Sequence, residues 1–250
     1  MIKQVKESGI VVTQMVNFSA NLERWKTFRD QREIIQHREW SQPLWKHGLL
    51  GIAILVTHWM LTFSGLYKRG LENARNLSVS HLEISYPNLP KSFDGYRILQ
   101  ISDMHFSAFP DNEYVIGEKI ASLEADLCVI TGDYQEKNGE ELDHIASCIE
   151  TIFLGKQFTD GYLAVLGNHD SHRIVPILES CGIATLINES IFLTRGVDCL
   201  QITGLDDVTT FYTPEASKAL KETLGNFKIL LVHSPGIEEE ASSSGYDLYL

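Results

Sequence analysis

The stretch GYLAVLGNHD, residues 161–170, decides how this chain is read. Leu163–Leu166 is an apolar run of strand length, and directly after it Asn168, His169 and Asp170 place an amide, an imidazole and a carboxylate side by side. A strand that is apolar on both faces belongs inside a parallel sheet covered by helices. Polar groups at the carboxyl end of such a strand stand where open α/β folds bind their ligands. The polar triplet is therefore read as the floor of a site.

The same pattern repeats on both sides of this stretch. YRILQISD (96–103) ends at Asp103, with His105 two residues on; ADLCVITGD (125–133) ends at Asp133; FKILLVHSP (227–235) carries His233 past its apolar run. Between these strands lie segments with helical spacing, EYVIGEKIASLE (113–124), EELDHIASCIETIF (140–153) and HRIVPILESC (172–181), where Pro176 predicts a kink. TPEASKALKETL (213–224) opens with Thr213 as an N-cap and Pro214 at the first helical position. HLEISYP (81–87), ATLIN (184–188), SIFLTR (190–195), DCLQITGLDD (198–207) and YDLYL (246–250) read as further strands. Alternating strands and helices predict an α/β domain over residues 80–250.

Composition bounds the rest. The chain has 250 residues and a formal charge of −12, which argues against a nucleic-acid partner. The charge is divided: residues 1–75 hold 11 Lys and Arg against 6 Asp and Glu, and residues 76–250 hold 10 against 27. Residues 1–47 form a basic arm in which helix is expected around 21–38 and in which no chemistry is evident. Residues 48–67, GLLGIAILVTHWMLTFSGLY, contain no Asp, Glu, Lys or Arg over 20 positions, about the length that crosses a bilayer. This predicts a transmembrane or membrane-anchoring helix. The basic residues flanking it do not fix its orientation. Cys128, Cys148, Cys181 and Cys199 show no zinc-site spacing and no disulfide framework; reduced thiols favour a cytosolic face for the domain.

The residues gathered at strand ends offer carboxylates, imidazoles and one amide oxygen, without a thiolate. That set suits hard or borderline divalent ions such as Mn, Fe, Zn or Mg. Several such groups converging from different strands suggest two ions, which together can clamp a phosphoryl group for in-line displacement.

The ordered set SDMH, GDY, GNHD and VHSP resembles the successive motifs of the calcineurin-like metallophosphoesterases. GNHD is the specific part; average residue frequencies produce it by chance in about one chain in a thousand of this length. The resemblance implies a four-layer αββα sandwich, two sheets flanked by helices, following the helical, membrane-associated segment. It implies that Asp103 and His105 bind a first divalent ion, that Asp133 bridges two, and that Asn168 and His233 bind the second. His169 would contact the phosphoryl oxygens and assist the leaving group, Asp170 would orient His169, and a water activated by the ions would be the nucleophile. Mn is the expected metal. The family closes its site with a Gly-His-x-His segment after a strand like YDLYL; here the sequence ends at Leu250, so one histidine per ion is expected to be missing and the domain to be C-terminally truncated.

The leader LEISYPNLPKSFDGYRILQISDMH (82–105) looks like the membrane-associated bacterial branch of the family, which includes UDP-diacylglucosamine pyrophosphatases of lipid A synthesis. A phosphodiester or pyrophosphate substrate follows, with a lipid-linked nucleotide such as UDP-2,3-diacylglucosamine in front, a membrane lipid as partner and the bacterial inner membrane as location. The competing expectations are a catalytically impaired membrane scaffold and a nucleotide phosphodiesterase of other substrate. His81, His144 and His172 are expected at the surface, Glu238–Glu240 on a solvated helix face, and Asp206-Asp207 in a turn or on the substrate side.

Overall fold

The computed structural model describes residues 10–11, 18–40, 48–109, 111–136, 141–222 and 224–250. Of the basic arm, residues 1–9, 12–17 and 41–47 lie outside these.

Two sheets stack at the centre. The first is wholly parallel, in the order β2 (Ile98–Ile101), β3 (Leu127–Thr131), β4 (Tyr162–Val165), β5 (Ala184–Thr185). The second has the order β1 (Ile10–Val11), β6 (Glu189–Arg195), β7 (Asp198–Gly204), β8 (Phe227–Leu231), β9 (Leu248–Tyr249). In it β6 runs antiparallel to β1 and β7, and β7, β8 and β9 are parallel.

Strand alternation builds the layers. Leu127 and Val129 of β3 and Leu163 and Val165 of β4 point inward onto Leu200, Ile202, Phe227, Ile229 and Leu231 of the second sheet. Their neighbours Cys128, Ile130 and Ala164 point the other way, onto α4 (Asn112–Ala121), α5 (Leu142–Ile152) and α6 (Val175–Ser180). Both faces of these strands are dry, which is why their sequences are continuously apolar. On the far side, Leu230 packs against Ala216, Ala219 and Leu220 of α7 (Pro214–Lys221) and Ala241 of α8 (Glu238–Ser243). The result is the expected four-layer sandwich. Thr213 caps α7 as predicted, its hydroxyl accepting from the Ala216 amide at 3.3 Å.

Three expectations need correction. The segment 81–87 is not a strand: residues 77–86 pair with nothing regular, and Leu82 stays 83% exposed. Alternation prepares a pleat, but a strand forms only where a neighbouring edge supplies hydrogen bonds. Pro176 does not kink a helix; it sits in the first turn of α6, where its missing N–H costs nothing, after a separate 3₁₀ turn at His172–Ile174. The apolar segment 48–67 is not one helix. It breaks into α2 (Gly48–Phe63) and α3 (Leu66–Arg75), which meet at 81°. Gly65 makes the corner with φ 75°, a left-handed conformation that glycine adopts without cost. Among the described residues no single helix is long and apolar enough to cross a membrane. Leu49, Trp59, Met60 and Phe63 of α2 are nonetheless exposed.

α1 (Phe18–Trp40) does not behave as a free arm. Trp25 and Arg29 are buried against the sandwich, and Arg29 is fully enclosed.

Candidate metal centre

The loops that leave β2, β3, β4 and β8 converge at one end of the sandwich, where the carboxyl ends of both sheets meet. They are tied to one another through the backbone. The amides of Asp103, His105 and Phe106 donate to the carbonyls of Gly132, Asp133 and Tyr134 at 3.1, 3.0 and 3.1 Å. Asp103, His105 and Asp133 all hold positive φ, at 56°, 38° and 56°. Such backbone is strained for residues other than glycine and persists where the surroundings over-determine it, most often at functional sites.

Asp133 is the hub. Its Oδ2 lies 3.3 Å from His233 Nε2 and 3.5 Å from His105 Nε2, while its Oδ1 accepts from the His169 amide at 3.0 Å. His233 Nε2 also lies 3.1 Å from Asn168 Oδ1, and Asp103 Oδ1 lies 4.0 Å from His105 Nε2. Asp133 therefore belongs to two groups whose ligand atoms lie within 4.8 Å of one another: Asp103–Asp133–His233 and His105–Asp133–His169. Asp103, His105 and Asp133, expected to share the first ion, also stand close together, His105 Nε2 lying 4.0 Å from Asp103 and 3.5 Å from Asp133.

The histidines are oriented from behind. Nδ1 of His105, His233 and His169 lies 2.9, 2.8 and 2.6 Å from the carbonyls of Gln135, Thr131 and Glu136. A carbonyl accepts, so each Nδ1 carries the hydrogen, and Nε2 is the atom each ring offers to the site. Without an ion, burial disfavours a charged His233, but the hydrogen bond and charge of Asp133 outweigh it and lift its pKa to about 9. Burial pushes Asp133 up, and its bonds to His233 and the His169 amide bring it below the usual carboxylate range. Asp133, His233 and Asn168 thus converge on a point that favours positive charge, where a divalent cation would be held. With only oxygen donors and imidazole Nε2 atoms pointing inward, the residues fit divalent ions.

Asp170, expected to orient His169, directs its carboxylate to backbone amides. Its carboxylate is fully buried and accepts from the amides of Gly167 (2.7 Å), Asp133 (2.8 Å), Tyr134 (2.8 Å) and Gln135 (3.2 Å). It stitches the loop after β3 to the loop after β4, and the His169 ring is set by Glu136. The resemblance implied that Asp170 orients His169; the hydrogen bonds of its carboxylate go to the backbone.

The two stitched loops touch through glycine. A Cβ on Gly132, which has φ 95°, would come 2.5 Å from the Gly167 nitrogen, and one on Gly167 would come 2.0 Å from Asp133 Oδ1. Gly167→Ala is expected to push the Asp133 carboxylate out of place and to lower metal content together with turnover. Metal analysis after dialysis checks this; an alanine variant holding its ions as the wild type does would show that the loops part without cost.

Asp206 and Asp207 are buried, not turn-exposed. Asp207 accepts from the Ser234 and Thr209 hydroxyls and, at 2.7 Å, from the Thr210 amide, which anchors the loop carrying His233. Asp206 pairs with Arg29 and accepts from Trp25 Nε1 at 2.6 Å. His172, expected at the surface, is only partly exposed, its Nδ1 3.4 Å from Glu33 and 3.7 Å from Asp30. These three form a third group of potential ligands. The residues missed from sequence are thus Arg29, Glu33 and Gln36 of α1. Their spacing of four and three was visible, but they are polar, and a core-facing helix is normally sought by its apolar stripe.

Comparison with known proteins agrees with this geometry. Bacillus subtilis YkoQ, an uncharacterized metallophosphoesterase, is 26% identical over 212 residues, which is 81% of this chain and 74% of that protein. The UDP-2,3-diacylglucosamine pyrophosphatase LpxG of Chlamydia trachomatis is 35% identical over 92 residues, 33% of this chain and 26% of LpxG. A zebrafish (Danio rerio) transmembrane protein with a metallophosphoesterase domain is 28% identical over 217 residues, 80% of this chain and 47% of that protein. The model of the calcineurin-like phosphoesterase family matches residues 96–250, which contain every one of the strand-end residues named above, and the chain belongs to that family.

Proposed function

We propose that Asp103, His105, Asp133, Asn168 and His233 hold two divalent ions, and that the site hydrolyses a phosphodiester or pyrophosphate bond in a lipid-linked substrate at a membrane surface. Metal-dependent phosphoester hydrolysis is the activity of the family. The observation that carries the assignment of ligands is the membership of Asp133 in both groups of ligand atoms. When bound, divalent ions supply Lewis acidity and an activated water. The protein supplies the rest. Asp133 would be shared between the ions, the Nε2 atoms of His105 and His233 and the amide oxygen of Asn168 would complete their surroundings, and exposed Asp103 marks the open side. The His169 ring, 5.0 Å from that of His105 and fixed through Nδ1, would offer Nε2 to the phosphoryl oxygens or the leaving group.

Two features support a lipid-bearing substrate. The bent pair α2–α3 presents apolar side chains to the outside immediately before the catalytic domain, the shape of an interfacial anchor more than of a span. A cleft of about 700 Å³ with a largely apolar lining, including Ile84, Tyr86, Ile98, Met104 and Phe227, opens beside Asp103. The similarity to LpxG makes a UDP-linked diacyl sugar the first substrate to try. The test is turnover of the full chain with Mn²⁺ on UDP-diacylglucosamine in vesicles, on UDP-N-acetylglucosamine in solution and on bis-p-nitrophenyl phosphate. Preference for the lipidated substrate, with cosedimentation of the protein on the vesicles, is expected. Equal turnover of the soluble nucleotide sugar and no vesicle binding would remove the lipid from the proposal.

His169→Ala is expected to lower turnover by about 10²–10⁴ while metal content stays at the wild-type level. The loss should shrink for p-nitrophenyl esters, whose leaving group needs no proton. Loss of an ion in this variant would make His169 a ligand, as its grouping with His105 and Asp133 allows.

A further inference from the structure

α1 reaches the metal centre from the back, and it does so through one polar stripe. Arg29, Glu33 and Gln36 recur at intervals of four and three, so they share a helix face. The Arg29 guanidinium donates to the Asp170 carbonyl, to the Gly167 carbonyl at 3.3 Å and to both oxygens of Asp206, and it stacks on Phe211 with 3.7 Å to the ring centroid. One turn on, the Glu33 carboxylate accepts from the Ser171 hydroxyl and the His172 amide, both at 2.9 Å. A further turn on, Gln36 Nε2 donates to the Asn168 carbonyl at 2.9 Å. The helix thus grips Gly167, Asn168, Asp170, Ser171 and His172, five of the six residues from 167 to 172. It comes from outside residues 96–250, the part of the chain that the family model matches.

The tight loop explains the grip. To bring Asn168 and His169 into the site it turns its own carbonyls away from it, and buried carbonyls need donors. Arg29 and Gln36 supply them in place of water. A guanidinium can serve two carbonyls and a carboxylate at once because its donors form a rigid fork.

We propose that α1 is part of the catalytic apparatus, with Arg29 and Gln36 as positioning residues. They fix the 167–170 loop so that Asn168 presents its amide oxygen to the metal and His169 its ring to the phosphoryl group. The proposal rests on the reading of Asn168 and Asp133 as ligands. Metal sites tolerate errors of about 0.2 Å in ligand distance, so a loop released from behind loses affinity before it loses its fold.

Gln36→Leu in the full chain is the decisive variant. Gln36 Oε1 has no hydrogen-bond partner, so an apolar side chain of similar size relieves one buried polar atom while it deletes the donor to Asn168. The metal-free Tm should stay within a few degrees of wild type. Mn²⁺ affinity, measured by calorimetry, should fall by about 10–100-fold, as when the outer partner of a metal ligand is lost. Hydrogen exchange at the amides of 167–172 should speed up, and kcat should fall with KM little changed. Arg29→Lys should act in the same direction and more strongly; if it does not fold, Gln36→Leu decides alone. Wild-type Mn²⁺ affinity and kcat in Gln36→Leu would overturn the proposal and leave α1 a structural strap, and so would losses no larger than the unfolded fraction accounts for. Asp133→Asn serves as the control: if it keeps both ions, the metal reading itself fails, whereas loss of ions there with full retention in Gln36→Leu removes only the role of α1.

Discussion

Asp133→Ala is expected to strip both ions from the protein and to drop turnover into the background. The loss should exceed the roughly 10–100-fold typical of changes behind a metal ligand, because this carboxylate belongs to both groups of ligand atoms. The variant should still fold, since the side chain lies at the end of β3 and not among the apolar layers. A second readout separates folding from binding. In the metal-free wild type, His233 has its pKa raised from 6.5 to about 9, with Asp133 the main group that opposes its burial. A group raised on folding contributes stability that is fully present below 6.5 and is lost as pH rises through 9. The metal-free wild type should therefore lose stability across that window, and Asp133→Ala should be nearly flat there. Two ions per chain in the alanine variant, by metal analysis after dialysis, would show that the hub is elsewhere.

Asp170→Asn should produce the largest loss of stability among the site residues. Four backbone amides converge on this carboxylate, and none of them has access to water. The amide of asparagine can accept on one side only and turns two hydrogens toward donors on the other. Leaving buried donors opposed costs about 3–5 kcal/mol. For a chain of this size that corresponds to a fall in Tm of about 10 °C. Activity should fall too, because the same bonds set the loops of Asp133 and Asn168. Scanning calorimetry of the metal-free protein is the measurement; an asparagine variant with wild-type Tm and full metal content would show that the charge is dispensable.

Much of this was legible in the sequence because the motifs stand at strand ends. Asp103, His105, Asp133, Asn168, His169 and His233 were found from their place after apolar runs, and the structure brings all six together. The layers were legible for the same reason: LCVIT can be apolar throughout only if both faces are covered. What escaped was information that does not lie along the chain. Whether 81–87 pairs depends on a free edge, which local alternation does not report. Whether 48–67 stays straight depends on Gly65, which looks innocuous inside an apolar run. The four amides that Asp170 binds were not foreseen because hydrogen bonds to backbone amides leave no mark on the side chains nearby. The stripe of α1 escaped because most of its partners in the loop are backbone groups, the carbonyls of Gly167, Asn168 and Asp170 and the amide of His172, and every residue carries such groups.

The union of Arg29 with Asp206 spans 177 positions of sequence. During synthesis at about 5–20 residues per second, α1 leaves the ribosome roughly 10–35 s before its partner exists. A conventional apolar stripe would spend that interval seeking any greasy surface. Arg29, Glu33 and Gln36 can stay hydrated over that interval, while Trp25 and Leu22 of the same helix carry the apolar surface that packs once the sandwich has formed. The bond between Arg29 and Asp206 can therefore close only late in synthesis, and until then the polar face of α1 can remain in water at little cost.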